Sequence, residues 1–398
     1  MRKTINIAVI ILFVFAGSQA CRERDATIDS TYVFIPPQYH SVQIASKPDT
    51  ISIPLNDSTF NAIKSVNVFS QNGKEYLAFF DQRSGSLNIY TLRFPQPIKR
   101  IPVKEWLHHS LYKTTVYVKS FDSVFVFNQN KLYLLNSVGK IKKSVEFVEK
   151  PDNAFALFDN NNPPVFKGNH LFAGVRPYVK ETSLDDLKKW KVLYAFDLHN
   201  KKASLHYHLP ELYQKNIFGY SFLDYSYCYN NHGRFVFSFA ADTCIYETNL
   251  ADFHAAYFAK SQYQDAPITP VSKEELSTGE KQLENYITKD SYGPVYFDPY
   301  KNRYLRVVKS KISEAEYKAK KLDRTQRLLI FNENFKIIGE SEIDKTIWLN
   351  TLFFTKEGGI YAQTKAGDEF ALHFIRLAYS DDSSYSINQL AQNENIIK

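Results

Sequence analysis

The sequence predicts an all-β chain: a six-bladed β-propeller of four-stranded antiparallel blades, closed by an N-terminal strand and carrying short helical insertions on one face. Three observations lead there. Aromatic residues that favour strands are abundant, with 31 Phe and 27 Tyr in 398 residues. Short strands bounded by turn residues return in six groups, each roughly 40 to 55 residues long, which is the period of propeller blades. No Pro- or Gly-rich linker interrupts residues 40–379, so one domain is expected rather than a large two-sheet sandwich or two smaller β domains. One small twisted sheet cannot cover both its faces, whereas sheets packed radially cover one another and leave only short edges.

Residues 1–20 have three zones: a cationic start at Arg2 and Lys3, an apolar run from Ile7 to Phe15, and a small-residue exit ending Ser18-Gln19-Ala20. That is an export signal. Its apolar run is far shorter than the roughly 20 residues that span a bilayer. Ser18-Gln19-Ala20 suits an ordinary signal peptidase, while a Cys directly after a small residue resembles the lipobox of bacterial lipoproteins, with Ser18 standing where Leu is usual. We expect the lipoprotein: Cys21 is acylated and holds the chain on the membrane, residues 21–39 form a flexible tether, and the protein sits in the cell envelope as an outer-membrane lipoprotein, periplasmic or surface-facing. A soluble secreted protein is the alternative.

The strands follow. Thr50 to Leu55 is a strand left over at the N-terminal end, and Pro54 suits an outer edge that does not need every N–H. "KEYLAFFDQRSGSLNIYTL" holds two strands around Arg83-Ser84-Gly85. "KTTVYVKSFDSVFVFNQNKLYLLNSVGKIKKSVEF" holds four, with turns at Phe121-Asp122, Asn128-Gln129-Asn130 and Val138-Gly139. The beat returns at "HLFAGVR" with "KVLYAFDLHNKKASLHYHL", at "YSYCYNNHGRFVFSFAADTCIYETNL", at "VYFDPYKNRYLRVVKS" with "RLLIFNENFKIIGESEI", and at "TLFFTKEGGIYAQTK" with "EFALHFIRL". The last group offers only three strands, near 349–354, 358–363 and 370–377. The spare N-terminal strand would complete it and close the ring, leaving 380–398 as a tail.

Three segments break the rhythm with helical signals. Ser183 caps a segment running to Trp190, with Leu184 and Leu187 three apart. Ser272 and Glu275 form a capping box before Leu276, Leu283 and Ile287, and Ser313 and Glu316 form another before a helix to Leu322. By strand count the first and third join the second and third strands of blades 3 and 5, and the middle one joins blade 4 to blade 5. Both kinds of connection emerge on the same side of the disc, so a ligand should approach there.

Chemistry is less legible. Removing residues 1–20 leaves 47 basic residues (49 less Arg2 and Lys3) against 42 acidic, a mild excess of +5 without a clustered stripe, so no nucleic-acid partner is expected. Cys228 and Cys244 could pair in an oxidising compartment, though two buried apolar thiols on neighbouring strands is the simpler reading. His108-His109 and His206-Tyr207-His208 offer imidazoles, but spacing supplies no third ligand, and no metal or other cofactor is expected. Asp159-Asn160-Asn161-Asn162 could offer oxygens to Ca²⁺, yet lacks a Gly-anchored loop and reads as a turn. Asp81, Asp224, Asp242 and Asp298 stand where Asp commonly ends a strand. Arg83, Arg176, Arg234 and Arg306, on or near inner strands, are candidates to line a central channel and hold an anion.

The stretch "SYGPVYFDPYKNRYLRVV", Ser291 to Val308, resembles a signature of a family of Bacteroides-type lipoproteins, an uncharacterised six-bladed propeller group of the TolB-like kind known as a domain of unknown function. "FFTKEGGIYAQTKAGDEFALHF", Phe353 to Phe374, is similar to that family's C-terminal blade, and Leu305 stands where a second Tyr is common. The resemblance covers about residues 40–379 and implies the fold, but carries no catalytic residues. Three functions follow as expectations: an anchored binding or scaffold propeller for a protein, peptide or glycan; a propeller hydrolase or lyase with residues drawn from several blades; and a small-ligand sensor. Absence of a compact catalytic motif favours the first. Mass spectrometry of the mature chain is expected to find acylated Cys21 at its N-terminus, and Cys21→Ser should move the protein from the membrane to the soluble fraction. An unmodified thiol at Cys21 would contradict the anchor.

Overall fold

A computed structural model describes residues 30–382 except 62, 64, 104–110, 112–113, 148–153, 178–180 and 366–368. Residues 1–29, Cys21 among them, His108-His109, and the tail from 383 lie outside the described residues.

Six radial sheets form the ring. Blade 1 runs from inner to outer edge through Val66–Gln71, Lys74–Asp81, Ser86–Thr91 and Pro97–Pro102, and blade 2 through Thr114–Ser120, Ser123–Asn128, Lys131–Leu135 and Ile141–Glu146. Blades 4 and 5 repeat this order over Tyr225–Thr248 with His254–Phe258, and over Ser291–Lys309 with Gln326–Ile343. In blade 6 the strands Ile347–Phe354, Ile360–Thr364 and Ala371–Tyr379 are joined at the outer edge by Ile44–Pro54. That N-terminal strand is antiparallel to the C-terminal one, with Ile51 opposite Phe374 and Ile53 opposite Leu372. Closure therefore occurs as the strand count requires. Pro54 and Pro97 both sit on outer edges, where a missing N–H costs no ladder bond.

Between the blades the core is divided into apolar clusters that each bridge neighbours. One joins Leu87 and Ile89 of blade 1 to Val124 and Val126 of blade 2. A second joins Phe127 of blade 2 to Leu171 and Phe196 of blade 3. The largest spans blades 3 to 5, a fourth joins Leu305 and Ile330 to Ile360 and Leu377, and the last joins Ile53 and Phe374 of blade 6 to Leu77 and Phe79 of blade 1. The alternation of each strand thus faces two different partners, which is why the two middle strands of a blade are buried on nearly every residue.

Blade 3 departs from the pattern. Its inner strand is split into Ala154–Leu157 and Val165–Lys167, both paired with His170–Pro177, and residues 158–164 leave the sheet between them. Lys191–Asp197 and Lys202–His208 complete the blade.

The chain before the closing strand is also fastened. Thr31–Val33 adds a parallel fifth strand outside His254–Phe258, and Gln38 and Val42 donate backbone N–H groups to Ile337 and Ile338 at 2.9 Å. Of the tether expected over 21–39, this last stretch lies along blades 4 and 5. Gly339 is what permits the crossing: a Cβ there would run into the Val42 carbonyl.

Helices appear where caps announced them, the first over its expected span and the other two shorter. Leu184–Lys189 is capped by Ser183 and buries Leu187. The Ser272 capping box closes only a single turn at Glu274–Leu276; the chain then restarts at Thr278, which caps Gly279–Ile287. Ser313 forms its box with Glu316, and the helix Glu314–Lys318 ends before Leu322. Glu211–Lys215 and a turn at Tyr220–Leu223, not foreseen in sequence, join blade 3 to blade 4.

Gly339→Ala is expected to destabilise the protein by about 1–3 kcal/mol through overpacking and to speed amide exchange at residues 38–42. Unchanged exchange there would show that the crossing does not need the glycine.

Candidate functional site

Residues 158–164 run into the axis of the ring and plug it. Asp159 Oδ1 accepts from the backbone N–H groups of Asn161 and Asn162 at 3.0 and 2.8 Å, which folds the segment into a tight turn. The two central asparagines then reach other blades. Asn160 Oδ1 accepts the Val66 N–H of blade 1 at 2.7 Å, and its amide nitrogen lies 3.4 Å from the Leu352 carbonyl of blade 6. The Asn161 carbonyl accepts the Tyr227 N–H of blade 4 at 2.9 Å, and its side-chain oxygen is 2.9 Å from the Tyr296 hydroxyl of blade 5. Gly174 lets Asn162 seat against the sheet, since a Cβ there would lie 2.8 Å from the Asn162 Cβ. These oxygens therefore meet protein donors on several sides instead of gathering around one point, so the turn reading holds over the Ca²⁺ reading. Burial pushes the Asp159 carboxyl above the usual carboxylate range, partly offset by the N–H groups it accepts.

The plug divides the channel into two mouths of unlike chemistry. All the helical turns named above lie in connections between second and third strands or between blades, so they share one face, as strand counting predicts. On that face a cavity of about 550 Å³ opens as a cup, floored by Asp159, Asn161 and Asn162 and walled by Arg176, Asp224, Tyr286, Trp348 and Lys309. The opposite mouth, about 610 Å³, is walled mainly by rings, including Phe69, Phe166, Tyr229, Phe297 and Phe353.

The four candidate arginines are not brought together. Arg176 alone lines the cup; its guanidinium donates to Asp224 Oδ1 and to the Tyr220 carbonyl, each at 2.9 Å, and lies 3.7 Å from the Tyr220 ring centroid. Arg83 sits in the blade 1 turn on the same face, over the Phe60 ring, outside the cup. Arg234 is on the opposite face, paired with Glu247 and packed on Phe253. Arg306 corrects the expectation most sharply. It is fully buried between blades 4 and 5, donating to Ser238 Oγ and to the carbonyls of Ala259, Phe239 and Asp242, with Tyr292 stacked 3.8 Å away. Its strand position was right, but its side chain turns into the interblade space, where the guanidinium makes four hydrogen bonds, three to carbonyls and one to a hydroxyl.

Other candidates also prove structural. Asp81, Asp242 and Asp298 accept backbone N–H groups of the turns that follow them. Cys228 and Cys244 are free thiols, on strands separated by a third and offset along them by three residues, so more than about 9 Å apart and beyond disulfide reach. Burial pushes the Cys244 thiol up to about 12 and Cys228 higher still, which leaves both inert. His206 and His208 line a groove of about 790 Å³ on the flank of blades 3 and 4, near His254 and Asp242. Tyr207 between them adopts a φ of 63° and stacks on Phe237 at 4.1 Å. Among the described residues no group of three or more His, Cys, Asp or Glu is placed to hold a metal ion.

A six-bladed propeller with a plugged axis and one decorated mouth is the class of protein this geometry defines. The chain belongs to the family described as "Domain of unknown function (DUF4221)", whose model matches residues 41–342. It is similar to the crystal structure of a member of that family from Bacteroides vulgatus, with a TM-score of 0.71, 22% sequence identity, and coverage of 86% of this chain and 99% of that one. It is also similar in fold to a Bacteroides fragilis protein whose name assigns it to export, with a TM-score of 0.52, 9% identity, and coverage of 88% and 98%. None of the curated proteins compared with the chain matches it in sequence.

Missed by sequence reasoning were the plug and the cup-lining Trp348, Tyr286 and Lys309. The signal for the plug was present: "AFALF" and "VFK" each make half a strand, and the turn-rich "DNNNPP" between them is too long for a bulge. Asn160→Ala leaves the buried Val66 N–H without its acceptor, and is expected to cost about 1–3 kcal/mol in denaturant unfolding. No change would show that the plug does not hold the inner strands.

Proposed function

We propose that this chain is a binding module of the cell envelope, anchored through lipid at Cys21, which takes a protein, peptide or glycan ligand in the helix-bearing cup. The observation that carries the reading is asymmetry. Helical insertions from blades 3 to 5 lie on one face only, two of them, Tyr220–Leu223 and Gly279–Ile287, bring Leu223 and Tyr286 to the mouth there, and the plug beneath turns that mouth from a pore into a closed-bottomed recess. A recess of a few hundred Å³ with several polar groups converging on it is the ordinary form of a ligand site. Anchorage is supported by the export signal and by the position of Cys21. Among the described residues, no helix is long and apolar enough to cross a membrane.

Asn350 is exposed in the cup, so Asn350→Trp fills it without disturbing the core. Tyr300 borders the opposite mouth. Screened against arrayed glycans and peptides, the mature protein is expected to retain a ligand that Asn350→Trp loses and Tyr300→Ala keeps, with both variants melting like the parent. Binding lost with Tyr300→Ala and kept with Asn350→Trp would overturn the reading.

A further inference from the structure

The cup has a sign. Arg176, Lys309, Lys345 and Lys365 line it against Asp159 and Asp224, four basic side chains to two acidic. Internal pairing removes little of this excess. Arg176 is joined to Asp224 at 2.9 Å. Lys345 meets Asp323 at 2.9 Å, but both remain about two-thirds exposed at the rim, where such a pair is weak and readily reopened. Among the described residues neither Lys309 nor Lys365 is within ion-pair distance of an acid, although Lys309 acts on the Asp224 carboxylate and Lys365 on Asp323 from farther away. Asp159 at the floor is also drawn toward its neutral form by burial. The opposite mouth has no such excess, Lys119 standing against Glu75 and the same Asp159.

Besides charge, the cup presents flat rings and amides: Trp348 and Tyr286 on its walls, with Asn350 and the side-chain oxygen of Gln326 beside them, the Gln326 nitrogen being held by the Asp344 and Ile347 carbonyls. Rings offer an apolar face with a polar edge; amides both donate and accept. We propose that the cup binds an acidic oligosaccharide, pyranose rings carrying carboxylate or sulfate groups. The lysines meet the anionic groups, the amides meet hydroxyls, and Trp348 and Tyr286 cover the C–H faces of the sugar rings. A pyranose ring arrives pre-formed and presents all three features together. An acidic peptide must be ordered residue by residue at about 1–2 kcal/mol each, and its carboxylates bring no ring. The inference rests on the reading that the cup is the binding site and adds the class of ligand.

Calorimetric titration of the mature protein tests it, with a galacturonic acid trisaccharide and a chondroitin sulfate tetrasaccharide as acidic probes, galactotriose as the neutral one and triglutamate as the peptide. At least one acidic saccharide is expected to bind about tenfold or more tighter than galactotriose, and to weaken severalfold between about 0.05 and about 0.3 M salt. Lys309→Gln with Lys365→Gln should lower that affinity about tenfold at an unchanged melting temperature. Galactotriose binding as tightly, and losing affinity in Asn350→Trp, overturns the acidic class while the cup stands. Triglutamate binding without either acidic saccharide overturns it in favour of a peptide. Acidic saccharide binding undiminished in Asn350→Trp overturns both this inference and the cup itself, and no binding by either acidic saccharide overturns the inference alone.

Discussion

Everything in this structure depends on the two ends of the propeller sharing one sheet. The strand Ile44–Pro54 is the outer strand of blade 6, yet it precedes blade 1 in the chain. Its pairing with Ala371–Tyr379 places Ile53 and Phe374, both fully buried, against Leu77 and Phe79 of blade 1. Without that strand the seam between the last blade and the first would expose a sheet edge and an apolar face together. A ring has no weakest end to fray once the seam is shut, and each interblade cluster is then flanked by two others.

The closed ring leaves an axis that must be filled or lined. Here it is filled, by a turn from blade 3 whose asparagines meet blades 1, 4, 5 and 6. Asparagine suits the task because one short side chain both donates and accepts, and the inner strands at the axis present N–H and C=O groups with no ladder partner on that side. The same plug makes the cup. On the proposed reading, structural and binding roles are joined: the segment that ties the inner strands together is the floor on which a ligand would rest. Arg306 plays the related part off the axis, filling the gap between blades 4 and 5 with donors rather than methyl groups.

Much of the fold was legible because its signals are local and countable. The closing strand announced itself as the one strand too many at one end and too few at the other. Ser183, Ser313 and Ser272 announced helical turns through their caps, and strand counting alone put the helices on one face. The length of the middle helix was not legible, because Thr278 offers a second cap that restarts it. Still less legible were destinations. "DNNNPP" reads as a turn, and it is one; that it crosses the axis depends on unpaired groups more than 60 residues away in sequence, such as those of Val66 and Tyr227. Arg306 and Arg176 both lie on a second strand, one at its middle and the other near its end, but one turns inward between blades and the other into the cup. Side-chain direction of that kind is decided by the neighbouring blade, which no short window of sequence contains.

Native-state hydrogen exchange across the seam tests the central claim most directly. If closure holds the ring, amides of 50–53 and 371–375 exchange only through the same opening that releases the inner strands 66–71 and 347–354, with one shared free energy. Residues 44–54 exchanging through a separate opening of much lower free energy, while blades 1 and 6 stay protected, would contradict it.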